Sequence, residues 1–182
     1  MAEHDLAALW EAHCRCEFET RDVDATMATM VAEPYVNHVP TMAGGVGHEQ
    51  LKRFYKYHFI GVNPPDFRLV PVSRTIGVDR LVDEFVMQFT HTTEVDWMLP
   101  GIAPTGREVA VAGVAIVQFD GGRLVHEHIY WDQASVLAQI GKIDPRGLPI
   151  AGAEAARKVM DKTLASNTLL AESWGRSAGK AV

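Results

Sequence analysis

The sequence predicts an α+β fold, and three observations carry that reading. From Asp5 to Ile60 the apolar residues recur at helical spacing, whereas from Phe67 to Trp131 they alternate as in strands. Gly, Asp or Pro stands at each junction between the strand-like runs, where a hairpin needs it. Helices and strands do not alternate along the chain, so the sheet is antiparallel with one apolar face, and the N-terminal helices are its natural cover.

Leu6, Leu9, His13, Cys16 and Glu17 lie near one helical stripe with Trp10 beside it, predicting a helix from Asp5 to Thr20. Asp22 can cap a second helix, Val23 to Val31, that buries Met27 and Met30. Pro34 stops it, because proline disfavours helical geometry in the residue before it. YVNHVP then reads as a short extended piece, and AGGVG (43–47) as a turn before a third helix. In that helix, GHEQLKRFYKYHFI, an apolar stripe runs through Leu51, Phe54, Tyr55, His58 and Phe59.

A four-strand meander follows: FRLVPVSRTI, LVDEFVMQFTHTTEVDWML, EVAVAGVAIVQF and LVHEHIYW. In its second strand Phe85, Met87, Phe89, His91, Val95 and Trp97 are expected on one face. Gln88, Thr90, Thr92, Glu94 and Asp96 take the other. ASVLAQIGKI suggests a short helix, DPRGLP a break and AGAEAARKVMDKTLA a final helix. The domain is thus expected over residues 1–143, with a helical extension and tail over 144–182. Ala153, Ala156, Val159, Met160 and Leu164 give that last helix a face to bury, as an arm or lid over the site or a neighbouring subunit.

Composition narrows the function. The apolar fraction of 47% and charged fraction of 22% are those of an ordinary globular protein. A net charge of -6, without a cluster of Lys and Arg, argues against nucleic acid as partner. No apolar run reads as a signal peptide or membrane span, and the expected location is the cytoplasm. Cys14 and Cys16 face apart on a helix, which disfavours a disulfide or a metal clip. No serine or cysteine sits in a nucleophile elbow, and AGGVG does not fit a phosphate-binding loop.

The densest chemistry lies in HEHIYWD, 126–132. In an extended chain His126, His128, Tyr130 and Asp132 share one face, and Glu127, Ile129 and Trp131 the other. The first face is expected to line the site. The second, with two large apolar groups, is expected to meet a partner in a homodimer. H-x-H with a following acid also suits a cupin metal strand, but the other cupin patterns are missing and the expectation is no metal and no cofactor.

Three stretches, YVNHVP…GGVGHEQLKRFY, FTHTTEVDWMLPGIAPTGREV and FDGGRLVHEHIYWDQASVLAQIG, carry a resemblance to a known family. They resemble the nuclear transport factor 2-like superfamily, in its SnoaL-like polyketide cyclase and ketosteroid isomerase-like branch, over Asp5 to Ile143. The resemblance implies a curved sheet wrapped around helices into a cone. It also implies an aspartate at the end of the last strand acting as general base, a position Asp132 fits. The ketosteroid isomerases place their base earlier and use a tyrosine and a protonated acid, and those residues do not map onto this sequence.

The function expected is cofactor-independent acid/base catalysis (isomerase, cyclase or lyase type) on a small apolar, carbonyl-bearing, cyclic molecule. Asp132 would take the proton, although it can equally cap the helix after it. His91, His128 and Tyr130 are the candidates for steadying developing charge; His91 can instead be a satisfied core histidine, and His128 a subunit contact. His38, Tyr55, Phe59, Phe89, Trp97 and His126 are the expected substrate contacts, in a cone also lined by Phe85 and Met87. Two alternatives stand beside this: a hydrolase of an ester, lactone or epoxide using water activated at Asp132, and a non-catalytic binding or dimerisation module.

Overall fold

The computed structural model describes residues 4–181. Two helices open the chain, α1 (Leu6–Phe18) and α2 (Val23–Ala28), each capped by an aspartate that accepts from a backbone N–H three residues on: Asp5 from Ala8 and Asp22 from Ala25. Strands β1 (Met30–His38) and β2 (Ala43–Val46) follow, then α3 (His48–Phe54), which continues into a π-turn over Tyr55–Phe59. The meander consists of β3 (Arg68–Ile76), β4 (Arg80–Thr90), β5 (Glu108–Asp120) and β6 (Arg123–Trp131). All six strands form one curved sheet in the order β2-β1-β6-β5-β4-β3. The expected α+β class and four-strand meander are present.

Three boundaries differ from the expectation. The second helix ends at Ala28, and Met30 already pairs with Leu124, so the residues before Pro34 belong to β1. The proline sits in the stretch where the β1–β6 register shifts, a place where a ladder tolerates its missing N–H. This β1–β6 pairing is parallel, the one exception in an otherwise antiparallel sheet. Second, AGGV is an edge strand rather than a turn. Gly44 adopts φ +140°, and a Cβ there would run into the Val36 carbonyl oxygen. Only glycine lets the two backbones approach that closely.

Third, the second meander strand stops at Thr90, whose N–H and hydroxyl both bond Asp66. Residues 91–99 form a loop, so strand alternation does not govern which of them point inward. Side-chain clamps do instead. Thr41 donates to the Trp97 carbonyl at 2.7 Å, Gln133 to the Met98 carbonyl at 2.7 Å, and the Trp97 indole to Asn63 at 2.9 Å. Val95, Trp97, Met98 and Leu99 are buried as a result.

α1 lies against the inner face of the sheet, over β3, β4 and β6. The core between them is continuous, from Leu6 and Trp10 through Leu51, Phe85 and Met87 to Ile129 and Trp131. α4 (Gln133–Gln139) leaves the end of β6, and its Gln139 amide bonds both N–H and C=O of Ala110 where β6 has run out. α5 (Ala153–Met160) packs on β5 through buried Ala156, while α6 (Ala171–Arg176) is exposed. Among the described residues, none after Ile129 lines the central cavity. Among the described residues no helix is long and apolar enough to cross a membrane.

Gly44→Ala should destabilise the protein by about 1–3 kcal/mol from backbone strain alone. Urea denaturation is the measurement. A wild-type midpoint would show that β2 does not need the close approach.

Candidate active site

The apolar stripe of α1 carries two residues that do not belong in a core unless they find partners, His13 and Glu17, one turn apart. They meet Glu127, which β6 delivers to the inner face between Leu124 and Ile129. His13 Nε2 lies 3.1 Å from Glu17 Oε1, in hydrogen-bond geometry, and 3.2 Å from Glu127 Oε1. Tyr55, at the start of the π-turn, donates its hydroxyl to Glu127 Oε1 at 3.2 Å. All four side chains are buried, none more than 4% exposed.

The far side of the imidazole fixes its tautomer. Thr29 gives its one hydroxyl proton to the Thr26 carbonyl at 2.6 Å, so at 2.6 Å from His13 Nδ1 it can only accept. Nδ1 therefore carries a proton, and Nε2 faces the two carboxylates. Trp10 stacks on the ring, with centroids 5.6 Å apart, and its indole donates to Asp83, which Arg74 holds in turn.

Burial alone would lower the pKa of His13, but the charges of Glu17 and Glu127 outweigh it and push it up to about 10. Burial raises the Glu17 carboxyl against the opposing pull of His13. It also holds Tyr55 protonated, well above the ordinary phenol range. With both carboxylates ionised, two negative charges face one imidazolium and the cluster carries a net charge of about -1, costly in a dry interior. The cluster consequently holds protons that exposed groups would release.

Glu17, Tyr55 and Glu127 form the polar end of a cavity of about 30 Å³, whose walls are otherwise apolar: Trp10, Phe18, Phe59, Phe67, Phe85, Met87 and Trp97 among them. His38 is the remaining polar lining group. It projects from β1 into a nest of rings, 4.5 Å from Trp97 and 5.3 to 5.7 Å from Phe59, Trp131 and Phe54, centroid to centroid. Burial lowers its pKa to about 3, so it is neutral, and its Nδ1 is buried without a partner.

The expected site residues divide sharply. Tyr55, Phe59, Trp97 and His38 line the cavity, as do Phe85 and Met87. Phe89 is buried behind Phe67, stacked on it at 5.4 Å. The β6 faces are the reverse of the expectation. Glu127, Ile129 and Trp131 point inward, so they cannot form the expected dimer face. His126, His128 and Tyr130 lie on the outer face, where His126 and His128 stack at 4.6 Å and His128 meets Tyr35. The reason is the core: two large apolar side chains gain more from burial than their alternates, and Glu127 accompanies them because His13 and Tyr55 await it.

Asp132 is exposed, outside the cavity, and accepts from Ser135 N–H as the N-cap of α4. His91 is buried at the end of β4, where Nδ1 accepts from the Thr105 backbone at 3.3 Å, and it does not line the cavity. Burial lowers its pKa, with Lys142 adding to the effect. The sequence signal for this buried cluster was His13 and Glu17 on the apolar stripe of the first helix.

Among the described residues, His13, Glu17 and Glu127 also form a set whose potential ligand atoms lie within 4.8 Å of one another, so a divalent cation could sit among them. Their present contacts are those of proton sharing.

A family model described as the SnoaL-like domain matches residues 10–127, and the chain belongs to that family. Among curated proteins there is no match. Solved structures show the same fold. An NTF2-like protein of unknown function from Burkholderia pseudomallei is 20% identical with a TM-score of 0.57, covering 74% of this chain and 96% of that one. A proposed SnoaL-like polyketide cyclase from Jannaschia is 19% identical with a TM-score of 0.59, over 79% and 96%. A proposed polyketide cyclase from Xanthomonas campestris is 18% identical with a TM-score of 0.58, over 74% and 96%.

Because folding raises the pKa of both His13 and Glu17, the native state binds more protons than the unfolded chain. The His13 contribution is complete below its unfolded value near 6.5 and is lost as pH rises towards about 10. The melting temperature should therefore fall across that window in the wild type, and less steeply in His13→Gln. Parallel profiles would contradict the shared-proton cluster.

Proposed function

We propose that this SnoaL-like protein is a cofactor-independent acid/base enzyme of isomerase, cyclase or lyase type, acting on a small, mostly apolar carbonyl compound. The observation that carries the reading is a pair of buried carboxylates, sharing one imidazole, at the polar end of an apolar cavity. Perturbed titratable groups that converge on a pocket are the mark of proton-transfer sites.

Glu127 is the proposed base. It takes a proton from the carbon next to the substrate carbonyl. Tyr55 braces it through the hydroxyl hydrogen bond. Glu17 and the imidazolium of His13 form the store from which a proton returns to the product. His13 acts through the glutamates and is a positioning residue.

Ring-sized ligands occupy several hundred Å³ in most proteins, roughly ten times the present cavity, so binding requires lining side chains to move apart. A cavity near the size of one water beside two carboxylates also suits the hydrolytic alternative, in which Glu127 would activate water.

Incubation with cyclic ketones such as 2-tetralone in heavy water, followed by NMR, should show enzyme-dependent deuterium uptake beside the carbonyl. Glu127→Gln keeps the volume and should slow it roughly 10²–10⁴-fold, while Asp132→Asn should leave the rate unchanged. A fully active Glu127→Gln variant would remove the proposed base. Stoichiometric zinc, iron or manganese on elemental analysis, with activity lost to a chelator, would replace acid/base catalysis by metal chemistry.

A further inference from the structure

When Glu17 and Glu127 are both ionised the cluster has one negative charge more than His13 balances, and the cavity it faces is walled by aromatic rings. Glu17 and Glu127 contribute two carboxylates against the single cation His13. Among the described residues, no lysine or arginine lines the cavity. The nearest guanidinium in the network, Arg74, is already engaged by Asp83 and Glu11. An anionic ligand would find no counter-charge there. A cation would find two.

The walls point the same way. Trp10, Tyr55, Phe59, Phe67, Phe85 and Trp97 line the same cavity as the carboxylates. Aromatic faces attract a cation through the ring quadrupole, and they do so most strongly when the cation has left water. Both glutamates contact His13 through Oε1 and both border the cavity.

An independent observation comes from His38. It is 4% exposed and borders the same cavity, and its Nδ1 is buried with no hydrogen-bond partner. Buried polar atoms in folded proteins are nearly always paired, so an orphan on a cavity wall marks a place where a ligand group completes the structure. As a neutral ring, His38 adds no positive charge to repel a cation and can bond a hydroxyl or carbonyl on it.

We propose that the cavity binds a compact organic ammonium group, with Glu17 and Glu127 as its counter-charge, the aromatic walls around it, and His38 bonded to a polar substituent. This rests on the reading of the two glutamates as the working end of the cavity, but not on turnover. It narrows the substrate class to small amines or quaternary ammonium compounds that carry an oxygen function, and it excludes phosphorylated and carboxylate substrates.

The test compares choline with its neutral isostere, 3,3-dimethylbutan-1-ol, by isothermal titration calorimetry and tryptophan fluorescence on the full chain. The two share shape and hydroxyl and differ in charge. Choline should bind at least tenfold more tightly, and acetate or inorganic phosphate should not bind. Glu127→Gln or Glu17→Gln should erase the preference for the cation, and Phe59→Leu should weaken choline more than the isostere. The wild-type comparison needs no variant to fold. Equal affinities, tighter binding of the neutral compound, or no binding of choline would each overturn the proposal. Ketone exchange at Glu127 would survive any of those results, so the two readings fail separately.

Discussion

Burying His13 between Glu17 and Glu127 is the constraint on which the rest of the structure depends. Three ionisable groups in a dry interior are tolerable only together, since removing one leaves the others uncompensated. Their meeting requires α1 to cross the sheet so that one turn of its apolar stripe faces β6. It also requires Thr29, just before β1, to present its hydroxyl to Nδ1. The arrangement ties the first helix, the start of the first strand and the last strand into one unit. Its register is set by polar contacts as well as by apolar packing.

The cavity inherits its character from the same elements. The π-turn matters here: the Ile60 N–H reaches back to the Tyr55 carbonyl, and the wider turn brings both Tyr55 and Phe59 to the interior. Trp97 arrives from a loop rather than a strand and is held by Thr41 and Asn63. These contributors are unrelated in sequence position, yet together they leave a small space with one polar end. A fold does not by itself determine a chemistry, so the assignment of function rests on that end and not on the sheet.

Much of the fold was legible in the sequence because apolar periodicity and turn residues decide it directly. The first helix, the third and all four meander strands follow from side-chain spacing and from turn signals such as DGG at 120–122. What escaped were features that depend on distant partners. Nothing local tells that AGGV pairs as a strand, because its reason is the backbone of Val36 across from it. The loop after Thr90 kept an alternating pattern by chance of composition, while its geometry is set by Asp66 and Thr41. The inward face of the last strand was misread. HEHIYWD alternates as expected, but the parity was assigned by chemical interest rather than by burial. Ile129 and Trp131 had the stronger claim to the interior, and Glu127 goes with them. His13 and Glu17, visible on the stripe of the first helix, were the complementary half of that signal.

The central claim is that His13 is an imidazolium held by two buried carboxylates. Nitrogen-15 NMR of the histidine side chains, followed from pH 5 to 11, tests it most directly. The account predicts one ring with both nitrogens protonated past neutrality, titrating near pH 10, and absent from the spectrum of His13→Gln. A His13 ring that turns neutral near the ordinary value of about 6.5 would contradict it.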